Sequence, residues 1–296
     1  MKTLSRNAII GYPAGIITGI TYGLNPLFAV PLMKHGASID TILFFRYLFA
    51  VLLLGAWLML RRHGFGITMK QAGILFVLGL LFTSSSLFLF ASYNYIASGL
   101  ATTIVFLYPV IVAIIMVFLR VIPSWQVWLS IVVTFIGVLT MTRSDSSQDV
   151  NTLGVLLSLG SASVYALFIV IINRSKSISS ISNSLLTFYA LTVGAAVFLA
   201  RIIIADTEIT AGIEGATDWL NLVWLALLPT IVSTATLAVA TRNIGATKAS
   251  VMGVFEPVTA ILVGTLVFGE PLTTNIVVGI VLSIAAIIFM IHTTKR

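Results

Sequence analysis

Apolar residues fill this chain in runs of about twenty, separated by short polar stretches, from one end to the other. A helix needs about 20 apolar residues to cross roughly 30 Å of hydrocarbon, so each run predicts a membrane-spanning helix. Ten such runs occupy 8–33, 41–60, 71–92, 99–119, 125–142, 153–172, 183–204, 219–241, 247–268 and 273–292. The longest connectors, near 143–152 and 205–218, are too short to house a separate domain. The first run follows Lys2 and Arg6 as a signal peptide would, but it is longer than one, lacks an A-x-A exit and precedes nine more spans, so it reads as a retained first helix.

A shift of 148 residues lays the second half over the first. The stretch "ATTIVFLYPVIVAIIMVFLRVIPSWQ" at 101–126 then falls on "ASVMGVFEPVTAILVGTLVFGEPLTT" at 249–274, pairing Ala101 with Ala249, Pro109 with Pro257, Val110 with Val258 and Pro123 with Pro271. Earlier helices match at nearby offsets, "LFAV" at 27–30 with "LFIV" at 167–170 and "LFFRYL" at 43–48 with "LTFYAL" at 186–191. The ordered series predicts a duplication, with one copy over 1–146 and the other over 147–296. Five spans per copy is an odd number, so the second copy must enter from the opposite face. The expected fold is therefore all-α and integral to the membrane, with ten transmembrane helices in two inverted five-helix repeats around a central cavity.

Composition agrees with a lipid environment: 59% of residues are hydrophobic and 8% charged, with mean hydropathy +1.12. The net charge of +7 suggests nucleic acid in a soluble protein, but the placement of charge gives a better account. With the N-terminus cytoplasmic, the inner segments hold Lys2, Arg6, Arg61, Arg62, Lys70, Arg120, Arg174, Lys176, Arg242, Lys248, Lys295 and Arg296, twelve of the sixteen basic residues. The outer connectors keep Lys34, Arg143 and Arg201, together with Asp40, Asp145, Asp149, Asp206, Glu208, Glu214, Asp218 and Glu270. Cytoplasmic loops favour Lys and Arg, so both termini are expected inside a multi-pass cell (inner) membrane protein, with no nucleic-acid partner. The absence of cysteine excludes disulfides, thiolate nucleophiles and Cys-based metal sites.

Two charges remain inside the hydrocarbon, Arg46 in "ILFFRYLFA" and Glu256 in "VFEPV". Each costs about 2.5–3.5 kcal/mol at a helix centre unless it faces a cavity or a partner. Counting 1.5 Å per residue puts Arg46 roughly 9 Å below the outer end of its helix and Glu256 roughly 12 Å above the inner end of its own, a geometry that permits a direct pair without requiring one. Pro257, beside the acid, frees backbone groups near mid-membrane, where a wet cavity would receive them. The same helix carries Ala249, Gly253, Glu256, Ala260 and Gly264 on one narrow face. Helix packing, with Glu256 bonded to a nearby hydroxyl, is the alternative reading of that face.

These residues carry a family resemblance. The stretch "GATKASVMGVFEPVTAILVGTLVFGEPLTTNIVVGIVLSIAAII" at 245–288 resembles the second repeat of EamA-type transporters of the drug/metabolite transporter superfamily, and "FFRYLFA" resembles the family's R-F/Y element in the second span. One departure stands out: Ile122 occupies the place where the first repeat usually has its own acid, opposite Glu270. The resemblance implies a cavity surrounded by the first four helices of each half, with the fifth peripheral. Substrate-binding candidates are then Glu256, Tyr108, Arg46, Tyr22, Asn25, Ser85, Tyr165 and Ser233, with Ser84, Tyr189 and Thr234 as weaker ones, and the helix-break or gating candidates are Pro109, Pro257 and Pro26. In membrane helices a Ser or Thr commonly bonds its own backbone, and Asn25 before Pro26 can serve a kink instead.

No G-x-x-x-x-G-K-[ST] loop occurs, so transport by this chain would run on gradients rather than ATP. The expected function is secondary transport, as an exporter of small metabolites or amino acids by alternating access, with a proton as candidate coupling ion and no cofactor or metal. An importer and a nucleotide-sugar-type exchanger stay open within transport. An intramembrane enzyme is the reading from another class, but His35, His63 and His292 lie at helix ends and one acid alone lies within a span, which leaves no catalytic pair at one depth. A channel would require a charged ring or carbonyl filter, and no such motif occurs.

Overall fold

The computed structural model describes residues 6–96, 98–141, 151–268 and 274–293, and every regular element among them is helical. The helices are α1 (Arg6–Tyr22), α2 (Asn25–Lys34), α3 (Ile39–Leu60), α4 (Met69–Ser92), α5 (Ser98–Val105), α6 (Tyr108–Phe118), α7 (Trp125–Met141) and α8 (Thr152–Arg174) in the first part of the chain. There follow α9 (Asn183–Ile204), α10 (Ala216–Ala226), a π-helical turn (Leu227–Val232), α11 (Ser233–Ile244), α12 (Ala246–Met252), α13 (Phe255–Phe268) and α14 (Thr274–Thr293). Seven helical stretches are long and apolar enough to cross a membrane: Arg6–Lys34, Ile39–Leu60, Met69–Ser92, Thr152–Arg174, Asn183–Ile204, Ala216–Ile244 and Ala246–Val267. Tyr108–Phe118, Trp125–Gly137 and Val277–Met290 are shorter apolar helices.

Polar residues set the helix starts where the sequence leaves hydrocarbon. Ser38 accepts from the Thr41 amide to start α3, Thr68 and Gln71 form a reciprocal capping box on α4, and Asn151 and Ser182 cap α8 and α9. The outward faces carry exposed Leu60, Phe118, Ile204 and Leu266, as a lipid solvent favours.

The packing is close to symmetric under exchange of the halves. The α1–α11 contact corresponds to α4–α8, the α4–α9 contact to α3–α10, and α3–α9 and α7–α14 correspond to themselves. Residue order along these last two contacts shows that the equivalent helices run antiparallel. Asp40 meets Arg201 while Gly55 meets Phe188, and Ser130 bonds the Ala286 carbonyl while Ser283 bonds that of Thr134.

Hydroxyls stitch the α4–α8 and α1–α11 seams in the same way. Ser161 Oγ donates to the Ser85 carbonyl at 2.8 Å, and the Thr18 hydroxyl lies 2.8 Å from that of Thr236. Glycines let backbones close in where α1 meets α11, α12 and α13. Gly11, Gly15 and Gly19 of α1, and Gly23 just beyond it, face Ile244, Met252, Phe255 and Glu256 at four-residue spacing.

The charged helix ends segregate. One end ties His35 to Asp218 and Asp40 to Arg201, each at about 2.8–2.9 Å. At the other end Gln71 bonds the Ser177 carbonyl and Arg242 bonds the Ile178 and Ile181 carbonyls, beside Lys70, Arg174 and Lys176.

Gly194 tests this packing, because a Cβ there would run into the Tyr47 ring and the Thr83 hydroxyl. Gly194→Val is expected to destabilise the detergent-solubilised protein by about 1–3 kcal/mol through overpacking. Gly73→Ala, which meets open space within α4, should hold or raise the melting temperature, and equal Tm values for the two variants would contradict the packing.

Candidate functional site

Three helix breaks meet at the centre of the bundle. Between α12 and α13 the amides of Gly253, Val254 and Glu256 bond three residues back, to Ser250, Val251 and Gly253, instead of four. Pro257 lies in the first turn of the helix that resumes. Between α5 and α6, Leu107 and Val110 make the same short bonds ahead of and behind Tyr108–Pro109. Between α1 and α2 the Leu24 amide bonds Thr21, and Asn25 Nδ2 donates to the Tyr22 carbonyl at 2.9 Å, so Asn25 closes the kink ahead of Pro26. The 8–33, 99–119 and 247–268 spans are thus each two helices rather than one, while α8, the counterpart of α1–α2, is continuous.

Glycines bring these breaks into contact. A side chain on Gly23 would collide with the Glu256 carbonyl and Thr259, and one on Gly253 with the Tyr108 hydroxyl. The predicted small face of the ninth span packs as its spacing requires: Ala249, Gly253, Glu256 and Gly264 are buried and Ala260 is half-buried.

Glu256 is 4% exposed, and its carboxyl group has no hydrogen-bond or ion-pair partner among the described residues. Tyrosines form its surroundings. Tyr22 and Tyr165 stack at 5.9 Å between ring centroids, and Tyr108 meets Tyr165 edge-on at 5.0 Å. Tyr22, Tyr93, Tyr108 and Tyr165 lie near Glu256, and Tyr22, Tyr47, Tyr93 and Tyr165 near Arg46.

Arg46 is fully buried, with its guanidinium 5.6–6.0 Å from the centroids of the Tyr47, Phe90 and Tyr22 rings. It forms no ion pair with Glu256; its partners lie in the π turn. Pro229 cannot donate an amide hydrogen, and Thr230 Oγ1 takes the Leu225 carbonyl at 2.8 Å. Arg46 Nε then donates to Thr230 Oγ1 at 2.5 Å and Nη2 to the Pro229 carbonyl at 3.4 Å. Nη1 is buried without a partner among the described residues.

The structure therefore brings Glu256, Tyr108, Tyr22, Tyr165, Asn25 and Arg46 into one neighbourhood. It gives Ser85 and Ser233 other occupations. Ser85 bonds Ser161 across the α4–α8 seam, and Ser233 donates to the Pro229 carbonyl of its own helix at 2.6 Å. Tyr189 braces the Phe65 carbonyl and Thr234 its own backbone. The neighbourhood is closed rather than an open cavity, since each of its six residues is buried. Glu270 lies outside the described residues. Sequence reasoning missed Thr230, Pro229, Tyr47, Tyr93 and the α1 glycine stripe. A mid-span proline and a four-residue glycine repeat were signals that could have found two of them.

The profile of the EamA-like transporter family matches residues 9–143 and 152–292. A solved crystal structure superposes with a TM-score of 0.73 at 15% identity, covering 97% of this chain and 99% of the other, a likeness that shows the fold. A comparison with functionally curated proteins found no match.

The π turn can be tested through its hydroxyl. Thr230→Val keeps the shape but removes the acceptor of a buried charged donor, and should destabilise the protein by about 1–3 kcal/mol. Thermal unfolding in detergent reads the change, and an unaltered Tm would show that Arg46 does not depend on Thr230.

Proposed function

Because the chain belongs to the EamA-like transporter family, we propose that it is a secondary transporter that exports small metabolites, amino acids among them, across the inner membrane by alternating access. The observation that carries the reading is the convergence of three helix breaks on a buried, unpartnered carboxyl group walled by tyrosines. Broken helices at matching places in the two halves mark the site in repeat-built transporters, because freed backbone groups there can meet a ligand or ion.

In this reading the seven long spans and three shorter apolar helices make ten crossings, divided near residue 146. The antiparallel running of α3 against α9 and of α7 against α14 supports inverted repeats. The gathering of Lys70, Arg174, Lys176 and Arg242 at one end supports cytoplasmic termini. Glu256 is the group through which a proton couples, and Arg46 Nη1 is a donor left for a substrate acceptor.

The closed cluster corresponds to an occluded stage. Rocking of one half against the other opens it, with Pro109 and Pro257 as the hinges, and the glycine contacts at Gly23 and Gly253 let α1 and Tyr108 shift over the α12–α13 break.

Glu256→Gln preserves shape and removes the charge. In proteoliposomes it should reduce proton-driven amino-acid flux to background while leaving the melting temperature close to that of the parent. Full flux in the variant would remove the acid from the mechanism.

A further inference from the structure

A second feature lies away from the central cluster, at the acidic end of the bundle. A cleft of about 340 Å³ is lined there by the end of α2 (Met33), the turn into α3 (Ala37, Ser38, Asp40), α4 (Leu87, Ala91), Asn94 and Arg201 of α9. Its size falls within the range of small-molecule sites. One acid and one base stand at its wall and bond each other as a fork: Arg201 Nε to Asp40 Oδ1 at 2.8 Å and Nη2 to Oδ2 at 3.2 Å. Met33, Leu87 and Ala91 supply an apolar surface, and Ser38 and Asn94 a polar one.

We propose that this cleft is a vestibule site for a small zwitterion with an apolar side chain, whose carboxylate takes the two Arg201 donors while its ammonium takes Asp40. The chemistry follows from the fork. A carboxylate already occupies both guanidinium donors in the planar geometry that suits that ion, so a ligand carboxylate can replace it group for group. The displaced Asp40 then needs a cation, and a ligand bearing both charges supplies it in the same step. The exchange is easy because the pair is exposed, with side-chain accessibility of 46% at Arg201 and 22% at Asp40, and exposed pairs contribute little to stability. Each group also has a reason to stay put after the exchange. Asp40 lies in the first turn of α3 and Arg201 in the last turn of α9, where the helix dipoles favour their charges.

The cleft shares a helix with the cage around Arg46. Phe90, next to Ala91 on α4, packs on the Arg46 guanidinium, so the wall of the vestibule and the cage around Arg46 share one helix turn. The site extends the transport reading by a waiting position, but binding is measured without flux, so the two fail separately.

The chain contains no cysteine, so a single Ala91→Cys variant carries one thiol, placed in the cleft. The purified full-length variant is labelled in detergent with a charged methanethiosulfonate, with and without L-leucine. At a leucine concentration about ten times its Kd, labelling should slow about tenfold. Leucine methyl ester and N-acetyl-leucine, which each lack one charge, should protect far less at the same concentration. Adding Arg201→Gln should abolish protection while leaving the unprotected labelling rate intact, which shows that the cleft persists. Adding Glu256→Gln should leave protection unchanged, which separates this site from the central one. Equal protection by all three compounds, protection that survives Arg201→Gln, or an unreactive thiol would each overturn the proposal. If Arg201→Gln alters the unprotected rate, Arg201→Lys decides, because it keeps the positive charge at the end of α9 but not the two-pronged donor: weakened protection at an unaltered unprotected rate supports the site, and full protection overturns it.

Discussion

A charge in hydrocarbon must be sheltered by protein, and the burial of Arg46 is where this fold meets that demand. The guanidinium lies among three aromatic faces and donates to Thr230 and the Pro229 carbonyl, groups presented by a π turn in the opposite half of the chain. That contact fixes α3 against the α10–α11 helix pair. It also leaves one guanidinium nitrogen unpartnered among the described residues, near Tyr22, whose ring continues the wall that runs to Tyr165 and Tyr108. Glu256 is buried by the other end of that wall and is not paired with Arg46. An acid and a base are thus kept apart in a closed, aromatic interior.

The duplicated plan explains why the contacts come in matched sets, and departures from it give the centre its chemistry. Tyr108 stands where the second copy has Glu256, and Tyr189 stands where the first has Arg46. Tyr189 is drawn into holding the Phe65 carbonyl, so the second half has no buried cation at that place. Leu81 stands opposite Pro229, and α4 accordingly runs unbroken where its partner widens into a π turn. Each half supplies one ionisable side chain, Arg46 from the first and Glu256 from the second, and neither supplies both.

Much of the fold was legible because lipid is an exacting solvent. The long apolar runs, the charged ends and the prolines at 109 and 257 all state local requirements that a span must meet, and helix breaks occur at both prolines. The small face around Glu256 was legible for the same reason, since its spacing is that of a helix. What Arg46 bonds was not legible. Its acceptor is 184 positions away and faces it only because Pro229 widens the turn before Thr230. Nor do hydroxyl positions announce their partners. Ser85 and Ser233 look alike in sequence, yet one bonds a neighbouring helix and the other its own carbonyl four residues back.

If the chain transports as proposed, the closed cluster around the α12–α13 break opens to water as the protein works. Amide hydrogen exchange in lipid nanodiscs measures this directly, because backbone buried in protein and lipid exchanges only when it opens. Amides over 252–256 should exchange faster than those in the middle of α14, a helix unbroken over its described length. Equal protection of the two segments would contradict the account, since the break would then be a fixed piece of packing and not a site that water reaches.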